Sequence, residues 1–157
     1  MVAIETERLS IRNFCPDDLP DFRELVAAYQ ASESAKYEDP WPTSEAEISG
    51  ILSWFAAGED YLAVCLKPDG KVIGFVAIDR RGEKQERVYN LGYVFNSGYN
   101  GKGYATESCR AAMHYVFERL GAESILTGTN LENEASVRLL GRLGLKATGQ
   151  GEFTISK

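Results

Sequence analysis

Histidine and cysteine are scarce in this chain: one His, His114, and three Cys, Cys15, Cys65 and Cys109. The cysteines are far apart, form no C-x-x-C and have no histidine at a ligand spacing, so neither a zinc site nor a disulfide framework is expected. They read as reduced, mostly buried thiols, which places the chain in the cytoplasm. A Ser-His-Asp triad would have to use His114, and that thins the hydrolase options. Long apolar runs are missing too. The most apolar-leaning uncharged stretch, Ile48 to Gly58, contains Ser49, Gly50 and Ser53 and is far too short to span a bilayer. The opening residues, MVAIETERL, carry two acids and no basic leader region, so no signal peptide is expected. With 17 Lys plus Arg against 23 Asp plus Glu the net charge is −6, which argues against nucleic acid as a partner. No metal, nucleic acid or membrane partner is expected.

The 157 residues fit one domain, 1–157, and a chain of this length buries about 70% of its unfolded surface without help from a metal or a disulfide. Leu9 and Ile11 alternate with polar neighbours over Arg8–Phe14 and predict a strand; Pro16, Asp17 and Asp18 predict a helix start running to about Tyr29. Gln30–Pro42 is polar and reads as a loop or a broken helix. Ser44 with Glu47 forms a capping-box pattern for a helix that Gly58 ends. Two strands, Tyr61–Leu66 and Val72–Asp79, flank a Pro-Asp-Gly turn. A charged loop, Arg80–Glu86, leads to a third run, Val88–Phe95. Cys109, Ala112, Met113, Val116, Phe117 and Leu120 then share one helical face. A strand over Ser124–Thr129, a helix over Glu134–Leu143 and a last extended segment complete a mixed α/β (α+β) order, β-α-α-β-β-β-α-β-α-β.

Asn96–Glu107, NSGYNGKGYATE, is the segment with chemical content. A strand end, a Gly-rich turn and an amphipathic helix follow one another, the physical recipe for an anion site: glycine lets a ligand approach the backbone, and the first helical amides have no intrahelical partner. Gly101, Lys102, Gly103, Tyr104, Ala105 and Thr106 would supply amides, and Lys102 a cation. Neither the G-x-G-x-x-G nor the Walker pattern is present. A plain helix cap would use the same residues, so both readings stand at this level.

The spacing and its context resemble motif A of the GNAT acetyltransferase superfamily, Q/R-x-x-G-x-G/A, here Asn100-Gly101-Lys102-Gly103-Tyr104-Ala105 followed by Thr106-Glu107. AIETERLSIR (Ala3–Arg12) resembles the T-E-R-L-x-L-R opening of the Rim-type ribosomal-protein N-terminal acetyltransferases. Asn90–Phe95 resembles the strand before motif A, and NLENEASVRLLGRLGL (Asn130–Leu145) the family's N-x-x-N-x-x-S…L-G-F segment. The resemblance implies a mostly antiparallel GNAT-like sheet flanked by about four helices. It also implies transfer of an acetyl group from acetyl-CoA, as co-substrate, to an amine acceptor such as a peptide N-terminus, amino acid, polyamine or amino sugar, by a monomer or homodimer. Carried over, Tyr93, Val94 and Phe95 meet the pantetheine arm through backbone groups, Asn100 to Thr106 surround the phosphates, and Asn133 hydrogen-bonds a pantetheine amide.

A neutral amine is the nucleophile in such a reaction, yet amine pKa values lie near 8 for an α-amine and about 10 for a lysine-type amine, so a base or a water relay is required. Many relatives place an acidic Tyr in the last helix where this chain has Leu140; the Rim-like subgroup has a Ser, here Ser136, which is the candidate hydroxyl for the CoA sulfur. A helix N-terminal cap is the other role open to Ser136. Asn90 stands where relatives often carry an acid and cannot accept a proton at neutral pH. Cys109 reads as core, His114 as surface, Tyr37, Trp41 and Trp54 as pocket wall or packing, and Glu38-Asp39 as a solvated loop. After Leu145 there is room for one strand and hardly for two, so a slot beside Ser124–Thr129 is expected to lack its strand or to be filled by another chain.

Overall fold

The computed structural model describes residues 1–83 and 86–157. It begins with a hairpin, β1 (Ala3–Glu5) and β2 (Leu9–Asn13), followed by α1 (Leu19–Gln30) and α2 (Glu45–Ala57). Next come β3 (Tyr61–Leu66), β4 (Val72–Ala77), β5 (Arg80–Arg81), β6 (Val88–Asn90) and β7 (Gly92–Phe95). The chain ends with α3 (Tyr104–Glu118), β8 (Ser124–Gly128), α4 (Glu134–Arg142), β9 (Lys146–Gly149) and β10 (Glu152–Ser156). The strands form two sheets, ordered β1-β2-β3-β4-β7 and β5-β6-β8-β10-β9, antiparallel throughout except for β6 against β8.

Alternation explains the layering. In β3, Leu62 and Val64 face one core while Ala63 and Cys65 face the other, and all four are buried. The first core holds Cys109, Ala112 and Val116 of α3 with Leu139 and Leu140 of α4. The second holds Phe22 and Leu25 of α1 with Ile48, Leu52 and Phe55 of α2. The sheet is thus covered by helices on both faces.

Several expectations change in detail. The helix expected from Pro16 starts as a 3-10 turn over Pro16–Asp18, and Gln30–Pro42 contains a 3-10 segment, Glu33–Tyr37. The α2 cap is as its sequence reads: Ser44 Oγ accepts from Glu47 N–H at 3.2 Å. The charged loop over Arg80–Glu86 contains the short β5, and its Lys84 and Gln85 lie outside the described residues. The single run Val88–Phe95 divides at Leu91, because its two halves pair with different sheets. The expectation of one C-terminal strand is wrong: β9 and β10 form a tight hairpin, and β10 pairs with β8 from Glu152↔Gly128 to Ser156↔Ser124. The chain's own residues occupy the slot beside β8. Among the described residues no helix is long and apolar enough to cross a membrane.

The turn between β2 and α1 is closed by a half-buried ion pair. Asp18, 7% exposed, accepts from both terminal nitrogens of Arg12 at 2.9 Å and from Cys15 N–H at 2.9 Å. Burial alone would raise this carboxyl's pKa; the bonds from Arg12 and Cys15 outweigh it and hold it below its ordinary value. A depressed folded pKa gives stability that is present above the unfolded value of about 3.9 and lost as pH falls through the folded one. Arg12→Met is therefore expected to cost about 1 to 3 kcal/mol in denaturant unfolding near neutral pH and to move acid unfolding to higher pH. An acid limb identical to the wild type would contradict this account of the turn.

Candidate functional site

The division at Leu91 creates the site. Leu91 is 1% exposed; its N–H donates to the Leu126 carbonyl at 3.0 Å, and its carbonyl accepts from Thr127 Oγ1 at 2.6 Å. Beyond it, β7 pairs with β4 from Gly92↔Ala77 to Phe95↔Gly74, while β8 continues beside β10. The two strands therefore part, and β7 ends its sheet with one backbone edge unpaired. A cleft of about 780 Å³ opens between them. β7 is held close to β4 because residue 74 is glycine: a Cβ there would lie 2.3 Å from Phe95 Cδ1 and 2.7 Å from the Val94 carbonyl oxygen.

At one end of the cleft the chain leaves β7 through Asn96, whose side chain caps the 3-10 turn Ser97–Tyr99 by accepting from Gly98 N–H at 2.9 Å. Asn96 Nδ2 donates to Glu24 and Ser97 Oγ to the Ala28 carbonyl, tethering this loop to α1. Gly101 and Gly103 then adopt φ of +79° and +83°, the left-handed region that favours glycine. The first bond into α3 runs from Glu107 N–H to the Gly103 carbonyl at 3.0 Å, so the amides of Tyr104, Ala105 and Thr106 have no partner within the helix. A Cβ at Gly101 would meet nothing within 4 Å, so the space over the turn is open. Unpaired amides, a helix N-terminus and open space make an anion cradle.

The acetyltransferase (GNAT) domain family matches residues 8–146, nearly the whole chain. The chain belongs to the GNAT acetyltransferase family. This GNAT chain is 26% identical over 150 residues to the uncharacterized N-acetyltransferase YnaD of Bacillus subtilis (strain 168), covering 93% of this chain and 84% of the relative. Its fold matches a GNAT-family acetyltransferase from Bacillus anthracis with a TM-score of 0.86 at 24% identity, covering 99% and 98% of the two chains. It also matches the ribosomal-protein-S5-alanine acetyltransferase of Vibrio fischeri with a TM-score of 0.83 at 19% identity, covering 100% and 96%. The protein is thus an acyltransferase of a family that uses acetyl-CoA and acts on amines.

Of the residues that the resemblance assigns to the co-substrate and the sulfur, all but Lys102 line this cleft, whereas Tyr37 and Trp54 do not. Tyr93, Val94 and Phe95 line it along β7; Asn100, Gly101, Gly103, Tyr104, Ala105 and Thr106 line it at the cradle; Asn133 and Ser136 line it from α4. Lys102 is not part of the wall. Its ammonium stands 5.8 Å over the ring of Tyr99, which does line the cleft. Arg142, at the end of α4, lines the cleft and donates to Thr106 Oγ1 at 3.3 Å. Asn133, not Ser136, caps α4: its Oδ1 accepts from Ser136 N–H at 3.3 Å. Ser136 Oγ lies 2.6 Å from the Tyr93 hydroxyl.

Tyr29, Trp41, Glu38 and Asp39 also line the cleft. Glu38-Asp39 is therefore a cleft element as well as a solvated one. Trp41 also packs edge-on against Phe22, whereas Trp54 is 63% exposed against Tyr61. Asn90 Nδ2 donates to Asp79 Oδ1 at 3.1 Å. Cys109 is fully buried and its thiol is pushed up to about 12 by that burial, which removes it as a nucleophile, and His114 is exposed. Among the described residues no group of three or more His, Cys, Asp or Glu is placed to hold a metal ion.

The T-E-R-L segment proves to brace the cradle. Glu107 accepts from Thr6 Oγ1 at 2.6 Å, Arg8 N–H at 3.0 Å and Arg8 Nε at 2.8 Å. Arg8 Nη1 donates to the Lys102 carbonyl at 2.9 Å, and the guanidinium covers the Tyr104 ring at 4.5 Å. Partial burial would raise the Glu107 carboxyl; the bonds from Thr6 and Arg8 outweigh it and keep it below its ordinary value. Arg8→Ala is expected to speed amide exchange at Glu107, the first bonded amide of α3, while exchange within α2 stays unchanged. Unaltered exchange at Glu107 would show that the cradle does not depend on this contact.

Proposed function

We propose that this chain transfers the acetyl group of acetyl-CoA to a primary amine by direct attack in a ternary complex, without a covalent enzyme intermediate. The observation that carries the reading is the cleft between β7 and β8 with an anion cradle at its end. A pantetheine arm needs an unpaired strand edge beside it, and a pyrophosphate needs unpaired amides; the two occur here in line. The amides of Gly101 to Thr106, with Asn100 and Arg142 beside them, would hold the phosphates. β7 would pair with the pantetheine amides through Tyr93, Val94 and Phe95, and Asn133 would offer its amide donors to a pantetheine carbonyl.

The acceptor would enter beside Glu38 and Asp39, which line the cleft and suit a cationic amine. The amine must lose a proton before attack, and solvent in the cleft carries it away, since Asn90 cannot. A backbone N–H of β7 would stabilise the charge that develops on the thioester oxygen. As the C–S bond breaks, Ser136 Oγ would meet the departing sulfur. A negative chain handles a phosphorylated co-substrate because the positive potential is local, from backbone amides and Arg142. Peptide N-termini belong among the acceptors to be tried, because an enzyme named for acting on a ribosomal-protein alanine shares the fold.

Calorimetry with acetyl-CoA, followed by thiol-release assays over peptides, polyamines, amino acids and amino sugars, tests the reading. Binding together with release by at least one amine class is the expected result, and Arg142→Ala is expected to weaken CoA binding by about tenfold. Absence of acetyl-CoA binding would overturn the proposal. Tight binding without release from any acceptor would assign the chain as a CoA-binding module, the reading that Asn90 and Leu140 would then favour.

A further inference from the structure

Ser136 and Tyr93 are 43 residues apart in sequence, yet their hydroxyls lie 2.6 Å apart across the cleft, one on the first turn of α4 and the other on β7. A serine inside a helix commonly turns its hydroxyl back to a carbonyl of the preceding turn. Ser108 of α3 does so, donating to the Tyr104 carbonyl at 2.8 Å. The hydroxyl of Ser136 is instead engaged across the cleft with a phenol. Its backbone N–H is fixed by Asn133 Oδ1 at 3.3 Å, so both the residue and its side-chain direction are held.

We propose that Tyr93 is a positioning residue for acetyl transfer: its phenol donates to Ser136 Oγ and so directs the single serine proton into the cleft, toward the departing sulfur. The inference rests on the acetyl-transfer reading above. A serine hydroxyl has one proton and two lone pairs; once a neighbour donates to the oxygen, its own proton must point elsewhere. Burial pushes the Tyr93 phenol up to about 12, so it stays protonated and able to donate across the working range.

The step balances with solvent alone. The neutral amine nitrogen forms its bond to the acyl carbon, the C–S bond breaks with its electron pair going to sulfur, the nitrogen's surplus proton passes to solvent, and the thiolate takes one proton from solvent. A thiolate of pKa near 8.5 is a poor base toward serine, so Ser136 stabilises the sulfur by hydrogen bonding and keeps its own proton. The donated bond from Tyr93 makes that hydroxyl a better donor through polarisation.

Tyr93→Phe keeps the ring and removes the hydroxyl. With acetyl-CoA and the best acceptor, kcat is expected to fall about tenfold or more, while the CoA Kd from calorimetry and the acetyl-CoA KM stay within about twofold. Ser136→Ala should lose at least as much, and the double variant should be no slower than Ser136→Ala alone, because the tyrosine acts only through the serine. A wild-type kcat in Tyr93→Phe, or losses that multiply in the double variant, would overturn the inference and leave acetyl transfer standing. A wild-type chain that binds CoA but acetylates no amine would overturn the acetyl-transfer reading and this inference together.

Discussion

Everything functional in this molecule depends on how one buried residue, Leu91, shares its backbone. Its amide and carbonyl are both spent on β8, through Leu126 and Thr127, whereas the residues after it turn to β4. A strand cannot follow two diverging partners, so the sheet parts at this point and exposes the inner edge of β7. Gly74 holds β7 against β4 on the opposite side, because any Cβ there would collide with Phe95 and the Val94 carbonyl. The cleft is therefore built from backbone pairing, and its side chains are placed by that pairing.

The same constraint arranges the charge. A protein with net charge −6 would bind the proposed anion here through geometry, because α3 starts where β7 ends and two left-handed glycines precede its unpaired amides. The cradle is kept in place from outside, by Thr6 and Arg8 on Glu107 and by Arg8 on the Lys102 carbonyl. Acidic side chains, Glu38 and Asp39, line the same cleft. One cleft thus carries unpaired amides and acidic side chains together, and the proposed reaction between a phosphorylated donor and a cationic acceptor would use both.

Much of this was legible in the chain. Local chemistry revealed the helices, the cradle and the Ser44 cap, since a Gly-rich turn before an amphipathic helix leaves a pattern within a dozen residues. Non-local pairings left none. Val88–Phe95 is one apolar run, and nothing in its periodicity shows that its halves choose different sheets. The C-terminal hairpin escaped notice because β9, KATG, is exposed along its whole length and has no apolar alternation to mark it. Glu107 and Arg8 are 99 residues apart, so the T-E-R-L pattern could be seen but not its contact. Arg142 reads as one more charged helix residue until α4 is laid beside the cradle, and nothing in the sequence pairs the Tyr93 hydroxyl with Ser136. The shortfall lies in residues whose role is fixed by what the fold brings beside them.

The central claim is that the space between β7 and β8 holds the acetyl donor with its phosphates at the start of α3. Titrating the isotope-labelled protein with CoA and following backbone amide resonances tests that placement residue by residue. The account predicts the largest saturable shifts at 101–106 and along 93–95, with α2 and β1 unmoved. Shifts that fail to saturate, or that centre away from the cleft, would contradict it.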